Sequence, residues 1–202
     1  TNVFENIKND VIFTIFTNET FTISGVTAET YRYHIIGTSI AANAFKDQTD
    51  LLSVVFLDSV TEIGDNAFWS CSNLTSCTLP DNSDFEIIPQ SCFRSSGLTS
   101  ITIPNSVTEI GIGAFSSTIN ITSCIFTANS SLETISNYCF IWAGLTSITI
   151  PDSVSSIGQN AFYGNQSLTS CTLPNNNNDF KIIPIFCFHY SGLTSITIPN
   201  SV

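Results

Sequence analysis

The chain has 202 residues, and only 10% of them are Asp, Glu, Lys or Arg, against roughly 25% in an average domain. Five basic and 16 acidic residues give a formal net charge of −11, which argues against nucleic acid or an anionic membrane surface as partner, because both require clustered cations. No apolar run approaches the ~20 residues that span a bilayer, so no direct membrane insertion is expected in this segment.

The beginning of the chain predicts a terminal cap. Residues 11–16 and 21–23 alternate between apolar and polar side chains, and residues 17–20 between them predict the turn of a hairpin. We assign residues 1–27 to this cap and residues 28–202 to a solenoid, because so short a segment rarely forms its own core and terminal repeat units are usually atypical. We see no leader sequence and the last unit is truncated, so a leader, an anchor and a C-terminal cap are expected outside this segment.

The rest of the chain repeats with a period of 23–25 residues. The most regular copy, residues 98–115, returns at residues 145–162 and begins again at Leu193. This period lies in the range of leucine-rich repeats and below that of helix-pair repeats. We count about seven repeats and a truncated last unit, with regular starts at Leu51, Leu74, Leu98, Ile121, Leu145, Leu168 and Leu193.

Every unit carries the same apolar pattern. After Leu98, Ile101 and Ile103 alternate with Thr and Ser, which predicts a strand that Pro104 ends. An Ile and, five residues later, a Phe follow in each unit, and stacking should align both into buried columns because one unit cannot bury them alone. We call these Phe residues the spine Phe residues: Phe45, Phe68, Phe93, Phe115, Phe140, Phe162 and Phe188.

Alternate units differ in their cysteines. The units from Leu74, Ile121 and Leu168 have Cys at their fourth position and again before the spine Phe, where other units have Ile and Ala. The repeat is therefore a pair of units of about 47 residues. The three cysteine pairs are Cys77 with Cys92, Cys124 with Cys139, and Cys171 with Cys187.

These motifs resemble a known family. Leu-Thr-Ser-Ile-Thr-Ile-Pro, followed by Ile-Gly and Ala-Phe, resembles the BspA-like leucine-rich repeat of treponemal and other bacterial surface proteins, and the Asn- and Cys-rich alternating form is similar to protist members. The resemblance covers residues 51–202 and extends more weakly to residue 40. It implies a leucine-rich-repeat solenoid with a parallel sheet on the concave side and turns or short 3₁₀ or helical pieces on the convex side. It also implies a non-catalytic binding protein at the cell surface or outside the cell.

The cysteines fit apolar core positions, so we predict free, buried thiols rather than disulfides within each pair. Cys71 lies in a turn and is expected to be more accessible. No Cys-x-x-Cys pair supports a zinc site, and the two His residues and the acidic turns show no catalytic or calcium-binding spacing. We therefore predict no catalytic, cofactor or metal site.

Large side chains that follow the spine Phe residues are the candidate binding residues. They occupy no apolar position of the repeat, so they are expected to point outward, with partial packing on the neighbouring turn as the alternative. Trp, Tyr and Arg dominate binding hot spots, and stacked turns would place these residues in one stripe. The predicted protein-binding residues are Trp69, Arg94, Trp142 and Tyr163, and His189 and Tyr190 share their location.

The resemblance implies adhesion to host cells, extracellular matrix or other microbes. Two other classes stay open: a structural spacer or self-associating coat, and a glycan-binding or ice-binding surface made of Thr rows such as Thr99 and Thr102. A strand is expected in residues 193–202 with an unpaired outer edge, which predicts self-association through this end. Glycosylation sequons occur at Asn18, Asn73, Asn120, Asn129 and Asn165.

Overall fold

The structure, a computed structural model, describes residues 5–7, 10–14, 32–175 and 179–202, with side chains described for residues 37–175 and 179–202. The predicted solenoid is confirmed. The repeats up to residue 167 each contribute a strand to the concave face, then a two-residue strand, then a tight turn on the convex side. The repeat that starts at Leu168 has, among its described residues, the first strand and the turn without the two-residue strand. The described residues contain no helix, so the convex side consists of turns alone.

The concave face is built from strands three to five residues long. The first three are β1 (Glu5–Ile7), β2 (Asp10–Thr14) and β3 (Arg32–Ile36). The others are β5 (Ser53–Phe56), β7 (Ser76–Thr78), β9 (Ser100–Ile103), β11 (Ser123–Phe126), β13 (Ser147–Thr149) and β15 (Ser170–Thr172). β1 and β2 are antiparallel, and the later pairs are parallel, as expected for successive turns of a solenoid.

The second face consists of two-residue strands. They are β4 (Ser39–Ile40), β6 (Glu62–Ile63), β8 (Ile87–Ile88), β10 (Glu109–Ile110), β12 (Thr134–Ile135) and β14 (Ser156–Ile157). They form two parallel sheets, one of β4 and β6 and one of β8, β10, β12 and β14. The paired isoleucines are in register, for example Ile88, Ile110 and Ile135. These three side chains are fully buried, so this ladder forms the predicted Ile column.

An antiparallel hairpin does lie within the predicted cap, but its position differs from the expected one. It joins β1 to β2, and β2 ends at Thr14. The second predicted run, residues 21–23, lies outside the described residues. The boundary between cap and solenoid at residue 27 stays a prediction.

The concave sheet is divided after every cysteine-bearing strand. β7 and β9 belong to different sheets, and so do β11 and β13. Only the first ladder bond survives at each break, for example from Thr99 N–H to the Thr75 carbonyl at 3.3 Å. The pairing of units seen in the sequence is therefore a physical division of the sheet.

The strand predicted in residues 193–202 is not formed. Leu193 and Ile196 pack against the core, but β15 pairs only with β13, and no strand of the described residues pairs with its outer edge. β15 is a cysteine-bearing strand, so this segment lies at the same kind of break as β9 and β13. An unpaired strand edge is thus present at β15 rather than in residues 193–202, and self-association through this end stays untested.

The spine Phe residues form the predicted column. Neighbouring rings from Phe45 to Phe188 stack with centroids 5.0–5.5 Å apart and planes within 4–11° of parallel. Phe68, Phe93 and Phe115 are fully buried. Each ring is completed by its neighbours, so unfolding of one turn exposes the rings on both sides.

All seven cysteines are free, and none bridges another. The predicted greater accessibility of Cys71 is wrong, because this side chain is fully buried. It lies three residues after Phe68, where its S–H donates to the Phe45 carbonyl at 2.9 Å. Thr118 and Asn165 take the same place after their spine Phe residues and donate to the carbonyls of Phe93 and Phe140 in the same way. These three side chains therefore point into the core and bind the carbonyl of the preceding spine Phe. Burial raises the pKa of Cys71 to about 12.

Candidate binding surface

The convex turns all use one backbone device. Around Phe93, the N–H groups of Ser91, Phe93 and Ser95 donate to carbonyls of the next turn at 2.8–2.9 Å. Ser91 and Ser95 have left-handed φ angles of 51° and 55°. The same two positions, two residues before and two after the spine Phe, are left-handed in every turn from Phe45 to Phe188. We call the surface formed by the first and second residues after each spine Phe the ridge.

Three ridge residues form what we call the capped cluster: Lys46, Trp69 and Arg94. Each directly follows a spine Phe, in three successive turns. Lys46 Nζ lies 4.1 Å from the Trp69 ring centroid, and Arg94 Cζ lies 5.1 Å from it. Each such cation–π contact contributes about 0.5–1 kcal/mol at an exposed site. Two of the chain's five Lys and Arg residues are thus held on one ring.

Trp142 has a different setting, because it is the second residue after its spine Phe and has a left-handed φ of 54°. It is 44% exposed, and its ring meets Tyr163 edge-to-face at 5.3 Å. The indole also lies over Gly164, where an added Cβ would come within 2.3 Å of Trp142 Cε3. Gly164 has a φ of 74°, so glycine here permits the left-handed backbone and also leaves room for the indole.

Trp142 begins a larger group of rings. Tyr163 lies 5.5 Å from both His189 and Tyr190, and His189 lies 5.4 Å from Phe186. Phe186 is 52% exposed and Tyr190 is 61% exposed. The rings thus form one exposed aromatic surface across three turns. We call it the open cluster, and its members are Trp142, Tyr163, Phe186, His189 and Tyr190.

The predicted single stripe is divided into these two clusters. Trp69 and Arg94 belong to the capped cluster, and Trp142 and Tyr163 belong to the open cluster. The turn between them has Ser116 at the first ridge position, and Ser116 is buried. The structure therefore brings the predicted residues together in pairs.

The open cluster uses bulky residues at strained backbone positions. In other turns, the left-handed positions are Asn, Asp, Ser or Gly, which adopt this conformation most readily or are small. In the turns around Phe140 and Phe188 all four are aromatic: Tyr138, Trp142, Phe186 and Tyr190. A side chain held in a sparsely populated backbone conformation costs on the order of 1–3 kcal/mol, and such strain clusters at functional surfaces.

Sequence reasoning missed three of these residues. Lys46 also follows a spine Phe directly, so counting one residue from Phe45 would have found it. Phe186 and Tyr138 lie two residues before a spine Phe. Both occupy the left-handed position that precedes the spine Phe. In the sequence, this position can be recognised only because other turns have a small or polar residue there.

The concave face offers a second surface. Rows of Thr side chains cross it, and in one row each hydroxyl donates to a carbonyl of the preceding unit, as Thr99 does to Thr75 and Thr122 does to Thr99. At the break between β11 and β13 the surface opens into a groove of about 580 Å³. Ile125, which interrupts the Thr row there, is 54% exposed.

The described residues hold no group of three or more His, Cys, Asp or Glu side chains that could bind a metal ion. They also contain no helix long and apolar enough to cross a membrane. Of the sequons, Asn73, Asn120 and Asn129 are exposed, and Asn18 lies outside the described residues. Asn165 is fully buried, and its amide donates to the Phe140 carbonyl at 2.6 Å.

A family model of the BspA type leucine rich repeat region matches residues 14–140 and 133–202. The chain belongs to this family. The match includes the Leu-Thr-Ser-Ile-Thr-Ile-Pro units and the spine Phe residues, so it confirms the resemblance seen in the sequence. A comparison with curated proteins found no match.

Solved structures of similar fold come from bacteria. The pneumococcal vaccine antigen PcpA matches with a TM-score of 0.62 and 22% identity, covering 86% of this chain and 47% of that one. The leucine-rich repeat protein of T. pallidum has a TM-score of 0.54 and 22% identity, covering 88% and 70%. A leucine-rich cell surface protein from Faecalibacterium prausnitzii has a TM-score of 0.50 and 24% identity, covering 84% and 52%. The chain thus spans about half the length of the first and third of these proteins, and at these identities the likeness shows the fold.

Proposed function

We propose that this chain is a non-catalytic binding protein, displayed at the cell surface or secreted, that attaches to proteins of host cells, extracellular matrix or other microbes through its convex ridge. The observation that carries the proposal is a contrast between positions. The spine Phe and Ile positions are nearly constant, whereas the ridge positions vary and include exposed aromatic rings. A constant core with variable outward aromatics is what a binding scaffold requires.

Membership of the BspA type leucine rich repeat family supports this location, because the sequence resemblance to that family implies a surface protein. One solved structure of the same fold is described as a cell surface protein and another as a vaccine antigen, which is consistent with display outside the cell. The low content of charged residues, with Ser, Thr and Asn supplying the polar surface, agrees with it.

The ridge suits weak contacts that add up. Trp and Tyr bury much area with few rotatable bonds, and Arg supplies directed hydrogen bonds, so they are common hot spots. Within each cluster, the side chains come from successive turns about 5 Å apart, as the Phe ring spacing shows. Several modest contacts along one rod give avidity without a single strong site.

Adhesion of coated beads to host cells or matrix proteins tests the proposal. The first variant replaces Trp69, Arg94, Trp142 and Tyr163 by alanine. A matched set places Lys at two exposed concave positions, Thr102 and Thr149, whose hydroxyls have no partner among the described residues. We expect the alanine set to lose most adhesion and the concave set to retain it, with circular dichroism confirming that both fold.

Two outcomes would contradict the proposal. If the alanine set adheres as well as the wild type while the concave set does not, the binding face is the concave sheet. If wild-type beads adhere to no target but the protein assembles with itself in light scattering, the structural or coat role is correct.

A further inference from the structure

We propose that the open cluster binds a basic protein segment by receiving its Lys and Arg side chains over its aromatic rings. This inference rests on the proposed function, because it specifies the chemistry of the partner at the same ridge. The partner is thus a protein with exposed Lys- or Arg-rich sequence.

The capped cluster shows that this ridge can hold cations on an aromatic ring. Lys46 and Arg94 approach Trp69 from the turns on either side, at 4.1 and 5.1 Å from its centroid. A contact with the π face leaves the N–H donors of the cation available for other partners. On this ridge, Trp69 is therefore an aromatic ring whose cation contacts are supplied by the chain itself.

The open cluster has the rings without the cations. None of the Lys or Arg side chains in the described part of the chain lies over a ring of this cluster. Its ridge neighbours are instead other rings, with His189 and Tyr190 only 4.2 Å apart. Trp142, Phe186 and Tyr190 are each more than 40% exposed, so their surfaces are open to a partner.

The backbone strain indicates that these rings are kept for their surface. Trp142, Phe186 and Tyr190 occupy left-handed positions with φ between 54° and 56°, where other turns use Ser, Asn, Asp or Gly. They are exposed, so burial in the core does not offset this strain. A surface function is the remaining reason for aromatic side chains at these positions.

The charge of the chain favours a cationic partner over the alternatives. The formal net charge is −11, so an acidic partner is repelled and a basic one is attracted at a distance. A neutral oligosaccharide could also stack on the rings but would gain nothing from this charge. Aromatic faces and net negative charge act together only on Lys and Arg.

Fluorescence anisotropy of a labelled octa-arginine peptide, titrated with the full 202-residue chain at physiological ionic strength, tests the proposal. Trp142→Leu and Tyr190→Leu remove a ring while keeping the net charge and a bulky side chain at the same backbone position. Ile119→Ala is the matched control, because Ile119 is 70% exposed on a neighbouring turn but belongs to neither cluster. We expect each leucine variant to bind about three- to tenfold more weakly, and the control to bind like the wild type.

Equal affinity of the leucine variants and the wild type would overturn the proposal, because binding would then follow net charge alone. Binding of neutral oligosaccharides by the wild type without binding of octa-arginine would also overturn it. Peptide binding and bead adhesion can give opposite results, so failure of this inference is distinguishable from failure of the proposed function. If the leucine variants bind the peptide normally while ridge alanines still abolish bead adhesion, the ridge function stands and only the basic partner is wrong.

Discussion

The capped and open clusters lie on the same ridge, above the same Phe column, and differ in what surrounds their tryptophans. Trp69 is half-buried between Lys46 and Arg94, whereas Trp142 is exposed and surrounded by rings. The backbone of the two turns is alike. The difference therefore arises from which residues fill the two positions after the spine Phe.

The two tryptophans differ by one residue in their position relative to the spine Phe. Trp69 is the first residue after its spine Phe, and Trp142 is the second, at a left-handed position. The first position places a side chain against its neighbours along the ridge, where a cation of the next turn can reach it. The second position places the indole over Gly164 and leaves much of its surface exposed. A repeat protein can thus replace an aromatic ring covered by its own cations with an exposed one without changing its core.

The largest effect on stability is expected beneath both clusters rather than in either. Phe115→Ala, in the turn between them, should lower the free energy of unfolding by about 3–5 kcal/mol, because it leaves a cavity in a fully buried column. Trp142→Ala should cost much less, since the indole is 44% exposed. Urea denaturation measures both, and equal losses would show that Trp142 belongs to the core.

The second prediction concerns the place of Trp142. Gly164→Ala should lower the free energy of unfolding by about 1–3 kcal/mol more than Gly113→Ala. Both glycines have left-handed φ angles, of 74° and 61°, so both variants carry backbone strain. Only at Gly164 does the added Cβ meet the indole, since at Gly113 its nearest neighbour is 3.6 Å away. Equal losses, with no change in tryptophan fluorescence, would mean that the contact with Gly164 does not position Trp142.

The third prediction compares the buried position below each cluster. Cys71 lies beneath the capped cluster, and Asn165 has the same place beneath the open one. Cys71→Ala should cost about 0.5–1.5 kcal/mol, because the Phe45 carbonyl loses the S–H donor and keeps only the N–H of Gln48, at 3.2 Å. Cys71→Thr should cost less, since Thr118 makes the same hydrogen bond two turns further on.

Thermal or urea unfolding of the two Cys71 variants measures the difference. Burial raises the pKa of this thiol to about 12, so the native protein should also resist thiol reagents at neutral pH, where the thiol is protonated. Rapid labelling of Cys71 in the native state would contradict its placement.

The fourth prediction is a gain in stability within the open half of the ridge. Tyr138 has a φ of 59° and is 42% exposed, so its backbone strain is offset by little burial. Tyr138→Asn should raise the free energy of unfolding by up to about 1 kcal/mol, because Asn tolerates the left-handed conformation better. Ser70→Asn, at the same kind of position in the Trp69 turn, should change it by less. A loss of stability in Tyr138→Asn would show that the ring makes a stabilising contact.

The smallest effect on stability, but a direct test of the comparison, comes from uncovering Trp69. Lys46→Met should cost only about 0.5–1 kcal/mol, the size of one cation–π contact. It should also increase the affinity for octa-arginine, because a face of Trp69 becomes available. Lys181→Met removes the same charge from an exposed side chain that covers no ring of the described residues, and it should increase the affinity less. Equal gains in the two variants would show that net charge, not the ring, is responsible.

The fold could be predicted because every core position recurs. Leu98, Ile101, Ile110 and Phe115 fix strand, second strand and turn by period and apolar pattern, and stacking leaves one arrangement that buries them. The error at Cys71 has a physical cause. Its place three residues after a spine Phe holds Cys, Thr and Asn in alternate turns from Phe68 to Phe162, so the sequence pattern looks polar there although the side chain is a buried donor.

The binding surface could be predicted only in part. Trp69, Arg94, Trp142 and Tyr163 stand out because they interrupt the pattern, but their grouping depends on which ridge position each occupies. That position follows from the two left-handed residues of the turn, and these accept Ser, Asn, Gly and aromatic residues alike. The breaks in the concave sheet were likewise invisible, although the cysteine alternation marked where they occur.

The central claim is that Trp142 presents an open aromatic surface and Trp69 a cation-covered one. The chain has two tryptophans, so Trp69→Phe and Trp142→Phe each leave a single fluorescent reporter. Quenching by caesium ions, normalised to quenching by neutral acrylamide, measures how freely a cation reaches each indole. We expect a normalised caesium quenching of Trp142 at least about twofold that of Trp69, because Lys46 and Arg94 repel the ion from Trp69. Equal normalised quenching of the two indoles, or stronger quenching of Trp69, would contradict it.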